Sequence, residues 1–70
     1  MAATVTTRSI TTNGAGNVEV LFDVRTSAGR LEVPITVEDM GNTGANEDQA
    51  RRELLTLAQE LVDALRWPGP

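Results

Sequence analysis

The 70-residue chain contains no cysteine, histidine, tyrosine or lysine, and these absences exclude most side-chain chemistry before any pattern is considered. Without thiols there is no disulfide framework, no thiolate metal site and no cysteine nucleophile. Without imidazole the commonest general base and metal ligand is missing, and losing lysine and tyrosine removes much of what remains of the acid–base and nucleophile set. No enzyme activity and no cofactor are therefore expected. Aromatic residues are equally scarce, at one Trp and one Phe. No stretch approaches the roughly 18 apolar residues of a membrane span, and Met1-Ala2-Ala3-Thr4 lacks the charged-then-apolar plan of a signal peptide. No membrane partner is expected, and the expected location is a reducing cytoplasm or a particle assembled there.

What the chain does contain is ten carboxylates against six arginines, for a net charge of −4, with 40% hydrophobic residues. This describes one small acidic domain spanning residues 1–70. The hydrophobic period divides it in two. Residues 3–37 read as strands, at about 3–12, 17–26 and 30–37, because apolar residues alternate in Val18-Glu19-Val20-Leu21-Phe22-Asp23-Val24 and in Leu31-Glu32-Val33-Pro34-Ile35-Thr36-Val37. The first run is rich in threonine and ends at Asn13-Gly14-Ala15-Gly16, a strong hairpin signal. Its Val5 and Ile10 have opposite parity, so only a bulge would put both on one face. Pro34 marks the third strand as an edge, since proline cannot donate to a ladder on both sides. A three-stranded antiparallel meander in order 1-2-3 follows.

Charge selects the second hairpin's register, because opposite charges across a ladder help and like charges hurt. A two-residue turn on Ala28-Gly29 pairs Val24 with Val33, Phe22 with Ile35 and Val20 with Val37, and sets Arg25 opposite Glu32. The four-residue alternative opposes Arg25 to Arg30 and Asp23 to Glu32. The tighter turn is expected.

Residues 38–46 lack apolar period and read as a loop. Asn46 is the expected N-cap of a helix over about 47–66, with Glu47 and Asp48 against the positive dipole end and Gln49 at the capping-box position. A tail, 67–70, follows. Ala50, Leu54, Leu57, Leu61 and Leu65 form the stripe expected to lie on the valine face of the sheet, giving an α+β, β-β-β-α, two-layer fold.

Several constellations invite chemistry. Glu38, Asp39, Glu47 and Asp48 flank one loop, but a glycosidase-like pair needs a cleft and aromatics that this chain lacks. Asp39, Asn42, Asn46 and Asp48 are oxygen donors, but Ala50 and Arg51 stand where an EF-hand loop needs its bidentate Glu. Neither glycine cluster has a phosphate loop's ending. A sheet backed by one helix is a DNA-binding layout, and Arg8, Arg25 and Arg30 lie on or beside it. Glu19, Asp23 and Glu32 interleave on that outer face, and no nucleic acid is expected.

The apolar arc of the helix is wider than one small sheet requires, because Leu55, Ala58 and Val62 extend it on one flank. Chains of this size without disulfides or metals rarely gain more than about 3–5 kcal/mol from their own core. Leu55 and Val62 are therefore expected at a contact with a second chain. Open strand edges, an outer face carrying Leu21 and Ile10, and Trp67 beyond the helix are further candidate contacts. The expected function is a non-enzymatic protein–protein module that self-assembles as a homo-oligomer or joins a larger assembly. Its lysine-free composition, leaning to Arg, Ala, Gly and Val, suits a GC-rich bacterial or phage gene, and a virion component fits. The competing class is a small acidic inhibitor or regulator of another protein, which includes mimicry of nucleic acid.

Overall fold

The computed structural model describes residues 3–66. Three strands, β1 (Thr4–Thr12), β2 (Asn17–Arg25) and β3 (Arg30–Glu38), are followed by one helix, α1 (Thr43–Arg66). The sheet is an antiparallel meander of order β1-β2-β3, so β1 and β3 are its edges. This is the expected β-β-β-α arrangement.

The parity conflict in β1 is resolved by a bulge. Thr7 pairs with Phe22 and Ser9 with Leu21, leaving Arg8 as an extra residue. Val5 then stands opposite Val24 and Ile10 opposite Val20, which places both on the helix-facing side. Ile10 is thus not on the outer face with Leu21, as the strict alternation of an unbulged strand would have it.

The second hairpin takes the four-residue register, against expectation. Arg25 pairs with Arg30, Asp23 with Glu32 and Phe22 with Val33. Two physical reasons outweigh the like-charge penalty. The first is apolar pairing, since Val18–Val37, Val20–Ile35 and Phe22–Val33 stand directly opposed, and all six are buried core residues. The tighter turn would have left Val18 without an apolar partner. The second is that charges are neutralised diagonally rather than directly across the ladder. Asp23 accepts from Arg25 Nε at 3.1 Å and from Arg30 Nε at 2.9 Å, while Glu32 takes Arg8 from β1 and lies 3.6 Å from Arg30 Nη2. The turn itself closes on Thr26, whose N–H donates to the Gly29 carbonyl at 2.8 Å and whose hydroxyl accepts from the Ala28 N–H at 3.0 Å. Positive φ occurs, among the described residues, only at Gly14, Gly16 and Gly41. Gly29 is not among them, so its presence did not mark a left-handed turn position.

α1 starts four residues before the expected boundary. Asn42 is the N-cap: its Oδ1 accepts from the Ala45 N–H at 3.1 Å, and its carbonyl takes the first helical bond from Asn46 N–H at 2.9 Å. Asn46 is therefore an interior helical residue, Glu47 and Asp48 fall outside the first turn, and no capping box forms. Gln49 instead donates to the Glu38 carbonyl at 3.1 Å.

The core joins the inward faces of β2 and β3 to Ala50, with Val24 and Leu54 partly buried against it. The stripe expected to cover the sheet does so only at its beginning, because Leu57, Leu61 and Leu65 are exposed. A 24-residue helix is about 36 Å long, more than the one short sheet can cover. The radius of gyration, 13.8 Å, exceeds the roughly 11 Å of a compact domain of this length.

Candidate interaction surface

The two ends of α1 differ in how they are held. At the N-terminal end, buried Asn46 accepts from the Met40 N–H at 2.7 Å and donates to Asp39 Oδ1 at 3.1 Å, while Asp39 also accepts from the Gly41 N–H at 2.8 Å. These bonds, the Gly41 N–H first and the Asn46 amide second, hold the Asp39 carboxyl below its ordinary range. Asp39 N–H in turn reaches the Gly16 carbonyl at 2.9 Å, tying the loop to the first hairpin. The residue after Asn46, Glu47, accepts from the Thr7 hydroxyl of β1, and just over a turn beyond it the Arg51 guanidinium lies 5.7 Å from the Phe22 ring centroid.

Beyond Leu54 every described helix residue is exposed. Leu55 is 59% exposed, Val62 48% and Leu65 77%, with Leu57 and Leu61 also open. Isolated exposed leucines are ordinary, but an apolar arc running for three helical turns on an acidic chain is not. On the sheet one apolar row is only partly covered, with Val24 half-buried against the core and Val5 and Leu31 open at its ends. The register aligns Val5, Val24 and Leu31 in one row across all three strands, on the helix-facing side near the Thr26 turn. Leu31 is 49% exposed and lines a cleft of about 270 Å³ with Val24 and residues of the turn, to which α1 contributes nothing. Val5 lines a second cleft, of about 240 Å³, with Arg51, Leu54, Leu55 and Ala58.

Of the residues singled out from sequence, Leu55 and Val62 sit together on the open helical flank. Ile10 is 36% exposed at a separate place, in the cleft beside the helix N-terminus with Thr12, Val18 and Asn46. Leu21 is half-buried and lies opposite Pro34 on the outer face. Trp67 lies outside the described residues. Leu31 was missed, because alternation marks it as inward-facing and inward-facing residues are ordinarily covered.

The remaining polar constellations are engaged locally. Glu47 meets Thr7, Asp48 meets Arg52 at 2.7 Å, and Asp39 serves the helix-entry loop. Among the described residues no group of three or more carboxylates converges to hold a metal ion, and no helix is long and apolar enough to cross a membrane. The outer-face arginines Arg8, Arg25 and Arg30 each pair with Asp23 or Glu32. The hydrogen bond from Arg30 is the main cause that holds the Asp23 carboxyl below its ordinary range, with burial opposing and Arg25 reinforcing.

The chain matches no protein-family model, no curated protein and no solved structure. Its functional reading rests on its own residues.

Proposed function

We propose that this chain is a non-enzymatic protein–protein interaction module that self-assembles, or joins a larger assembly, through the C-terminal half of α1. One observation carries this reading: Leu55, Leu57, Leu61, Val62 and Leu65 all remain open to solvent on a helix whose first half is firmly anchored. Fully burying one such side chain is worth about 1.5–3 kcal/mol, so covering even part of this arc offers more than the small core has to spare. The missing imidazole, thiol, amine and phenol groups support a non-catalytic role.

A monomeric acidic regulator of another protein is the second reading. It draws on Glu60 and Asp63, which accompany the apolar arc on the same half of α1, and on Glu53 just before it.

The deciding experiment is the solution mass by light scattering over at least a tenfold range of concentration. A discrete multiple of 7.5 kDa is expected, and Leu55→Glu with Val62→Glu should return it to the monomer while the circular-dichroism signals of strand and helix persist. A monomer at every concentration would overturn self-assembly and favour the regulator. Loss of all folded signal in the double variant would place those side chains in a core.

A further inference from the structure

We propose that the groove between the free edge of β3 and the acidic flank of α1 takes an extended, arginine-bearing segment of a different protein, which adds to the sheet as a further strand. This goes beyond the self-assembly reading, because the groove lies on the side of α1 turned to β3, whereas the Leu55 flank is turned to Val5.

The backbone of the edge determines what it offers. Thr26 and Gly29 exchange both of their hydrogen bonds, at 2.8 and 3.3 Å, and bonded and unbonded pairs alternate along an antiparallel ladder. Leu31, Val33, Ile35 and Val37 therefore bond to β2, while Glu32, Pro34, Thr36 and Glu38 turn their backbone groups to the free edge. The Asp39 N–H on the Gly16 carbonyl fits the same alternation. Pro34 has a carbonyl but no N–H, so this edge holds more acceptors than donors. One of its carbonyls is already in use, since the Gln49 side chain of α1 donates to Glu38 at 3.1 Å.

Beyond Gln49 the same flank of α1 changes character. Glu53, Thr56 and Glu60 face Pro34 and Thr36 across a groove of about 560 Å³. Among the described residues neither glutamate makes an ion pair, and the Thr56 hydroxyl donates to the Arg52 carbonyl at 3.3 Å, which leaves its lone pairs free. Both walls thus present acceptors, above exposed apolar surface of Leu57 and Leu61. A guanidinium carries five donors and no acceptor on an apolar stem, so arginine suits the walls and the floor together. Alternate side chains of an extended segment stand about 7 Å apart on one face, and Glu53 and Glu60 stand about 10.5 Å apart along the helix. Two arginines at alternate positions reach both, while the main chain pairs with Thr36, whose N–H and carbonyl both face the groove.

A second copy does not supply this segment. The chain has no lysine, and its strand arginines, Arg8, Arg25 and Arg30, are each paired with Asp23 or Glu32. The net charge of −4 attracts a basic partner and repels another copy.

The test uses a short synthetic peptide of alternating arginine and valine, its binding to the intact chain read by fluorescence anisotropy. Saturable binding is expected. Glu53→Gln with Glu60→Gln should raise Kd by about tenfold, the worth of two exposed ion pairs. Glu19→Gln with Asp48→Asn removes the same charge elsewhere and should leave Kd within about threefold. Methylating one alternate set of peptide backbone nitrogens should abolish binding and methylating the other set should be tolerated, because a paired strand turns only every second N–H to its neighbour. That comparison needs no protein variant, so it stands even where the glutamine pair disturbs folding. An absence of saturable binding would remove the site, equal weakening by the two double variants would reduce it to diffuse charge attraction, and tolerance of both methylated sets would leave no strand pairing. Each of these results overturns the proposal and leaves self-assembly through Leu55 and Val62 untouched.

Discussion

The two halves of α1 differ in sequence and meet opposite fates. Residues 43–54 are mostly polar, with Ala50 and Leu54 as their apolar step, and are fixed by Asn42, Asn46, Glu47, Ala50 and Arg51, whereas residues 55–66 are rich in leucine and only flank open clefts against Val5 and β3. The difference lies in polar contacts more than in hydrophobicity. The first half contributes Ala50 to the buried core and only partly buries Leu54, whereas the second half carries Leu55, Leu57, Leu61, Val62 and Leu65 and buries none of them. Amphipathic pattern makes a helix and supplies a face. Where along its length that face is covered depends on where the cap and its hydrogen bonds pin it.

This contrast can be broken from its strongest side first. Phe22→Ala removes the largest fully buried side chain and the ring beneath Arg51. A loss of about 3–5 kcal/mol is expected, comparable to the whole stability of such a domain, so circular dichroism should show the isolated chain mostly unfolded. Asn46→Ala comes next. It strands the Met40 N–H and removes one of the two donors to Asp39, for an expected loss of about 1–3 kcal/mol and a fall in Tm of several degrees per kcal/mol. An unchanged Tm would mean that the loop is not what anchors the helix.

Acid should act more gently, at both ends of the sheet. Asp39 and Asp23 both have depressed folded-state pKa values, so each adds stability that is fully present above the unfolded carboxylate value, near 4, and is lost as pH falls through the lower folded value. Chemical denaturation between pH 5 and pH 2 should show the decline, and Asp39→Asn should flatten it. The smallest effect is expected at the far end. Leu65→Ser should change the stability of the monomer by no more than about 0.5 kcal/mol, measured by urea unfolding at high dilution. A larger loss would show that the second half is packed after all.

Much of the fold was legible because it is written in local periods. Alternation located all three strands and Asn13-Gly14-Ala15-Gly16 the first turn, but the opposite parity of Val5 and Ile10 only allowed a bulge, and the one at Arg8 turns Ile10 inward from the outer face where it was expected. Two features were misread for one reason, namely that a local rule was applied without the long-range partners that override it. Across one ladder Arg25 and Arg30 repel, but Asp23 lies between them and Glu32 draws Arg30 and Arg8 to itself. Asn46 resembles a cap in sequence, yet Asn42 four residues earlier is an equally good one and Asn46 is drawn inward by Asp39 and Met40. Of the surface, the flank Leu55 and Val62 was legible from the width of the apolar arc. Leu31 was not, because exposure at an inward-facing position depends on where the helix lies, which periodicity does not encode.

The meander has a kinetic consequence. Every strand pairing joins neighbours in sequence through short turns, so the sheet requires only two hairpin closures, each an event of about 1–10 μs. Such local topologies fold fast, and the longest loop to close is the one that brings Glu47 to Thr7. The sheet can therefore be complete before α1 docks, with the clasp at Asp39 and Asn46 deciding when the helix is captured.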